Sequence, residues 1–317
     1  MSPCGYKQTI RPRHRHVCST SDNRHSSADD KLHAGLGNWG TRNPVNRIVG
    51  GCLRFEGNNR SLGKAGHRRT VLASALKWRL VMATYVLVHG AFLGGWCWRD
   101  VAARLRTAGH NVFAPTLTGL GERYHLATPE TDLETHVQDI VGVIDWEDLN
   151  DIVLVGHSYA GMVVGGVAGR RGDRIESIIY LDAHIPRDGM SMVNMTPPER
   201  AQAFQKAAEA HNGWQIPPHT AEYYGVRDAA LQTWIDGKCV PLPLKCLTSK
   251  TDQSAAPHPG IAHQAHVLCT DPMMQIFQKS HDWARAQGGW ECREMATAHF
   301  LMITAPDAVG DLLLEYA

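Results

Sequence analysis

Ser158 is the residue whose surroundings most resemble a reacting centre. In Asp151-Ile152-Val153-Leu154-Val155-Gly156-His157-Ser158-Tyr159-Ala160-Gly161, small residues flank it at i−2 (Gly156) and i+2 (Ala160). A serine hydroxyl is a poor nucleophile until a base takes its proton, and the base must itself be oriented. The G-x-S-x-A spacing suits a sharp strand-to-helix turn that leaves no room for larger side chains beside the serine. Such a turn lifts the hydroxyl above the sheet. It also aims the first free N–H groups of the next helix at whatever binds there. The chemistry indicated is acyl transfer through a covalent serine intermediate.

In a strand–turn–helix setting of this kind the chain order is serine, then acid, then histidine. The chain carries 18 histidines, so position selects the base. His299, in Ala298-His299-Phe300 near the C-terminus, follows the last expected strand. Two aspartates compete as the acid that holds the imidazole. Asp182 closes the apolar run Tyr180-Leu181-Asp182-Ala183, where an unpaired carboxylate would be expensive. Asp271, in Cys269-Thr270-Asp271-Pro272, suits a turn aspartate. The reading therefore assigns Asp182 and keeps Asp271 as the alternative. The developing oxyanion needs two donors, for which the main-chain N–H groups of Tyr159 and Ala91 are expected; His89 is expected to brace the loop.

The elements that must position these residues follow from periodicity. Thr84–Val88, Asn111–Ala114, Ile152–Val155, Ile175–Leu181, Ala265–Cys269 and Trp290–Met295 read as strands, most of them apolar enough for burial on both faces. Helices are expected over about 96–107, 133–146, from the serine turn to about Gly169, 273–286, and from Pro306. Gly161, Gly165 and Gly166 in the third of these suggest that the helix lies close to the sheet. Between Pro186 and Ile261 the alternation breaks down, apart from a short amphipathic helix near Glu199–His211, so this stretch reads as a lid. Trp214, Tyr223 and Trp234 are its candidate apolar contacts for an acyl group. The fold class is α/β, a mostly parallel sheet with helices on both faces. In such sheets ligands bind beyond the carboxyl ends of the strands, and His89, Ser158, Asp182, Asp271 and His299 all fall there.

The composition bounds the rest. Hydrophobic residues make up 43% and charged ones 20% of 317 residues, ordinary for a globular protein. The net charge of +1 conceals a split. Residues 1–81 hold 15 Lys and Arg against 4 Asp and Glu, whereas the remainder holds 17 against 27. Residues 1–81 show no helical or strand period, and are read as a disordered basic extension. A transit peptide and a nucleic-acid arm fit them less well than upstream sequence ahead of a natural start at Met82, because their charge is dispersed and no amphipathic helix is evident. Residues 82–317 form the expected catalytic domain. The eight cysteines are scattered and include no C-x-x-C pair, and no apolar run approaches the roughly 18 residues of a membrane span. A cytoplasmic location is expected, without nucleic-acid or membrane partners, and a homodimer is left open.

With these residues in place, the chain from Met82 to Ala317 resembles the α/β-hydrolase superfamily. It is similar in particular to the branch of plant methyl-ester esterases of the salicylate-binding type, hydroxynitrile lyases and bacterial esterase relatives. The matching runs are Val88-His89-Gly90-Ala91-Phe92-Leu93-Gly94-Gly95-Trp96-Cys97-Trp98, the turn Gly156–Gly161 and the His299 loop. The resemblance implies Ser158 as nucleophile, His299 as base and a small-molecule ester substrate; neither cofactor nor metal is expected. The lyases carry threonine and lysine where Gly90 and Phe300 stand here, which implies an esterase. The esterase relatives would place their acid where Met273 and Met274 stand. Haloalkane dehalogenases instead resemble the Tyr180–Ala183 pattern, with the acid at the Asp182 position. The expected activity is carboxylic ester hydrolysis; a lyase or C–C bond hydrolase, or a non-catalytic receptor, are the rivals.

Overall fold

A computed structural model describes residues 82–187, 189–250 and 256–317. The expectation for residues 1–81 lies outside these. Among the described residues six strands form one all-parallel sheet: β1 (Thr84–Val88), β2 (Asn111–Phe113), β3 (Ile152–His157), β4 (Ile175–Leu181), β7 (His263–Cys269) and β8 (Trp290–Met295), in the spatial order β2-β1-β3-β4-β7-β8. The direction of strand addition reverses between β1 and β3, which is where an open parallel sheet leaves a crevice for a ligand.

Alternate residues of each strand enter different cores, as a side-chain period of two requires. Val86, Val88, Ile152, Leu154, Ile178 and Tyr180 pack on one face, under the helices Leu133–Trp146 and Ala160–Arg171. Tyr85, Leu87, Val153, Val155, Ile179 and Leu181 pack on the other, under Arg99–Thr107 and Pro306–Leu314. All four residues Ile152–Val155 are buried, so truncating one, Leu154→Ala for instance, should cost about 2–5 kcal/mol.

The helix Leu133–Trp146 has the bounds its sequence period predicts, with Val137, Ile140, Val141 and Ile144 buried. Its start is fixed by Asp132, whose carboxylate accepts from the Thr135 N–H at 2.9 Å while the Thr135 hydroxyl closes a capping box. Caps of this kind contribute about 1 kcal/mol.

The segment between β4 and β7 forms a cover over the sheet's carboxyl edge. It holds the helices Met192–Met195, Pro198–His211, Ala229–Asp236 and Lys245–Thr248. A two-stranded antiparallel pair, β5 (Gln215–Ile216) with β6 (Leu242–Pro243), ties it together.

The expected reason for the glycines after the serine turn needs correction. A Cβ at Gly161 would collide with the His184 carbonyl, and one at Gly166 would lie 2.7 Å from Cγ2 of Val137. These two glycines let the helix approach the loop after β4 and the neighbouring helix, not the sheet.

Candidate active site

Ser158 sits at the turn between β3 and the helix Ala160–Arg171, with φ at +57°. A residue with a Cβ adopts this region only when its surroundings impose it, at roughly 1–3 kcal/mol. Three main-chain hydrogen bonds do so here. The Ser158 N–H donates to the Leu181 carbonyl at 3.2 Å, and its own carbonyl accepts from Gly161 (3.1 Å) and His184 (3.2 Å). Gly156 is required because a Cβ there would lie 2.7 Å from Cγ2 of Val164. The hydroxyl opens into a pocket shared with His299, Ala91 and Tyr159.

His299 lies between Ser158 and Asp182. Its Nδ1 is 2.6 Å from Oδ2 of Asp182 and its Nε2 is 3.0 Å from Oγ of Ser158. With the proton on Nδ1 the ring donates to the carboxylate and accepts from the hydroxyl. Asp182 is fully buried, and its other oxygen accepts from the Cys269 N–H at 3.0 Å. Its φ is +43°, a second strained position, held by its N–H donating to Val267 O at 2.7 Å. Burial pushes the Asp182 carboxyl up, with the Cys269 N–H pulling the other way. Burial pushes the His299 imidazole down, and the Arg200 guanidinium adds to this, so the ring is neutral at pH 7 and offers a free nitrogen.

Asp271 is elsewhere. It pairs with Arg227 at 2.6 Å on the surface, with both side chains about half exposed or more. Of the two aspartates after core strands, only Asp182 is hydrogen bonded to His299. At the positions where the esterase relatives would place an acid, Met274 lines the pocket and Met273 is exposed.

The loop after β1 passes over the serine turn. His89 is buried, its Nδ1–H donates to the Gly90 carbonyl at 2.9 Å, and its Nε2 accepts from the Leu117 N–H at 3.0 Å. Burial pushes its imidazole down to about 4, so it stays neutral and braces the loop. A Cβ at Gly90 would lie 2.8 Å from Nδ1 of His157 and 2.9 Å from Cβ of Ser158. Glycine is therefore what lets Ala91 come beside the serine. Neither the Ala91 nor the Tyr159 N–H donates to another group among the described residues.

Several positioning residues escaped the sequence. Tyr224 and Phe277 stack on the His299 ring, at 5.3 and 4.9 Å between centroids and 26° and 9° between planes. His157 donates from Nε2 to the His299 carbonyl at 2.9 Å. The Tyr159 hydroxyl donates to Nδ1 of His136, whose Nε2–H reaches the Thr118 carbonyl at 2.9 Å, fastening the serine turn to the helix Leu133–Trp146. None of these has a motif; only His157 and Tyr159, beside Ser158 in sequence, carried any signal. The expected lid contacts need correction. Tyr223 is exposed, Trp234 packs edge-on against Trp96, and neither these nor Trp214 lines the pocket. Met192, Phe204 and Tyr224 take their place. Among the described residues, no group of three or more His, Cys, Asp or Glu could hold a metal ion.

Comparison with known proteins meets this geometry. The model of the alpha/beta hydrolase family matches residues 85–312. The chain belongs to that family. It is 38% identical over 244 residues to the carbendazim hydrolyzing esterase of Nocardioides sp. (strain SG-4G), a match spanning 73% of this chain and 98% of that one. Methylesterase 8 of Arabidopsis thaliana is 30% identical over 103 residues, which cover 32% of this chain and 38% of the relative. An extracellular alpha/beta-hydrolase from a Paenibacillus species shares the fold at 24% identity and a TM-score of 0.66, across 74% of this chain and 99% of that one. The relatives place the α/β-hydrolase described here on the esterase branch. Among the described residues no helix is long and apolar enough to cross a membrane.

Proposed function

We propose that this α/β-hydrolase, an esterase, cleaves small to medium carboxylic esters through an acyl-enzyme on Ser158. The observation that carries the reading is the unbroken chain Ser158 Oγ, His299 Nε2, His299 Nδ1 and Asp182 Oδ2, at 3.0 and 2.6 Å, opening into a covered, largely apolar pocket. His299 takes the serine proton as Oγ attacks the ester carbonyl. Asp182 holds the ring in the Nδ1–H tautomer and stabilises the imidazolium that forms. The N–H groups of Ala91 and Tyr159 receive the carbonyl oxygen as it gains charge. His299 then protonates the departing alkoxide. A water deprotonated by the same nitrogen attacks the acyl carbon, which releases the acid and returns the proton to Ser158.

Hydrolysis is favoured over lyase chemistry at two positions. Gly90 stands where a side chain would meet His157 and Ser158. Phe300, beside the base, is a buried apolar ring packed on Tyr224 and not a cation. Carbendazim, from which the 38% identical relative takes its name, is the first compound to assay, beside a library of simple esters. The five cysteines of the described residues are free thiols, which supports a reducing, cytoplasmic setting; cell fractionation tests it. For the reaction itself, Ser158→Ala is expected to abolish hydrolysis of p-nitrophenyl butyrate while the melting temperature is retained. Wild-type turnover by that variant would overturn the mechanism.

A further inference from the structure

Among the described residues lining the pocket around Ser158, one side chain carries a permanent charge. Arg200 is the third residue of the helix Pro198–His211 and faces a wall otherwise made largely of Met192, Phe204, Leu247, Met274, Ile276 and Phe277. A cation in the first turn of a helix opposes the helix dipole. The position therefore gives no local reason for arginine.

Its partners are few. An arginine has five N–H donors. Nη1 of Arg200 donates to the Tyr223 hydroxyl at 3.1 Å, and the guanidinium carbon lies 5.5 Å from the centre of the Phe204 ring. Nε is buried and, among the described residues, donates to nothing. Among the described residues Arg200 makes no ion pair, whereas most of the other arginines do. The side chain is half-buried, and its buried Nε–H is costly until an acceptor reaches it. Its charge is felt by His299, His184 and His219, whose imidazoles it helps to push down, so the group lies within electrostatic reach of the reacting base.

We infer that Arg200 is a specificity residue that binds a planar hydrogen-bond acceptor on the substrate, in its strongest form a carboxylate. This rests on the proposed ester hydrolysis at Ser158. The geometry of a guanidinium matches a carboxylate through two parallel N–H···O bonds, which lysine cannot reproduce. The substrate class is therefore an ester with a second acceptor group on the part directed at the lid. The competing account is that Arg200 only braces the lid through Tyr223 and Phe204. In that case every ester would be affected alike.

The test compares methyl half-esters of the dicarboxylic acids from malonate to adipate with methyl alkanoates of the same length, using the full chain, Arg200→Gln and Arg200→Lys. The wild type is expected to prefer the best half-ester in kcat/KM. Arg200→Gln should lower the ratio of half-ester to neutral ester by about tenfold to a hundredfold, the range for losing a hydrogen bond to a charged group; Arg200→Lys should fall between. Any general effect of the charge on His299 cancels in this ratio. An unchanged ratio, or a wild type that prefers the neutral ester, would overturn the inference. A readout without turnover separates it from the reaction itself. The best half-ester, monomethyl glutarate for example, should raise the melting temperature of Ser158→Ala but not of Ser158→Ala/Arg200→Gln. If both variants respond equally, or neither does, Arg200 does not bind the carboxylate. If the full chain hydrolyses no ester while this difference persists, the esterase reading fails and the binding inference stands.

Discussion

Replacing Asp182 by asparagine is the sharpest test of the site, because the amide cannot satisfy both neighbours. In the structure one carboxylate oxygen accepts from His299 Nδ1–H and the other from the Cys269 N–H. If the asparagine oxygen faces Cys269, its NH2 points at Nδ1, which must then accept. The imidazole proton moves to Nε2, the nitrogen that should take the serine proton. If the oxygen faces His299, the NH2 meets the Cys269 N–H, donor against donor, in a site with no exposure. The first arrangement removes the base and the second leaves buried donors unpaired, at about 1–3 kcal/mol. An exchange that fixes the wrong tautomer lowers kcat by about 10⁴, or about 5.4 kcal/mol of barrier at 1.36 kcal/mol per decade. Asp271→Asn disturbs only an exposed pair with Arg227, worth about 0–1 kcal/mol, and should change kcat less than about tenfold. Both variants are to be assayed on p-nitrophenyl butyrate, with circular dichroism confirming that each is folded at the assay temperature. A folded Asp182→Asn protein within tenfold of wild type, or a larger loss in Asp271→Asn, would refute the assignment.

Gly90→Thr should cut kcat by about 10²–10³, the loss expected when one oxyanion donor is displaced, since a Cβ there meets His157 and Ser158; unchanged kcat would show that the loop can move aside freely. The pH profile has a defined sign. In the proposed mechanism neutral His299 is the active form, and burial disfavours its protonation, so the acid limb of kcat/KM should fall below the ordinary 6.5. A limb at or above 6.5 would contradict this. A chain starting at Met82 is expected to match the full chain in esterase rate and melting temperature, because residues 1–81 show no core-forming period; a fall of several degrees would refute that division.

Much of the scaffold was legible because its periods are strong. β1, β4, β8 and the helix Leu133–Trp146 have the bounds their apolar spacing predicts. β3 runs two residues further than expected, to His157, because that histidine is buried on a carbonyl and behaves as part of the strand. β7 starts at His263 and not Ala265, since polar His263 and Gln264 already pair with Ser177 and Ile178. Ser158, Asp182 and His299 were visible as polar residues just after strands, a signal that requires only the sheet's direction. The lid was not. β5 and β6 have two residues each, too few to show an alternation. Of the adjacent tyrosines, Tyr224 stacks on His299 and Tyr223 faces outward, a choice set by a turn and not by composition. Nothing in the amphipathic pattern near Glu199–His211 singles out Arg200, because what marks it, the absence of an ion pair among the described residues, shows only in three dimensions.

Asp182 stands on the rim after β4, the strand beside β3, whereas β7 lies one strand further out. Under the proposed mechanism the segment after β7 is thereby released from supplying the carboxylate that holds the base at the right tautomer. Met274 and Ile276 line the pocket around Ser158, and Phe277 beside them both lines it and stacks on His299. In the proposed reaction, the carboxylate that orients His299 and the pocket side chains Met274 and Ile276 thus stand on different strand ends, while the rest of the lid wall follows β4. Met274 and Ile276 can change size or polarity while the carboxylate that orients His299 stays where it is. Under the proposed mechanism, a single substitution at either position is expected to change which esters are accepted without moving the Asp182–His299 pair.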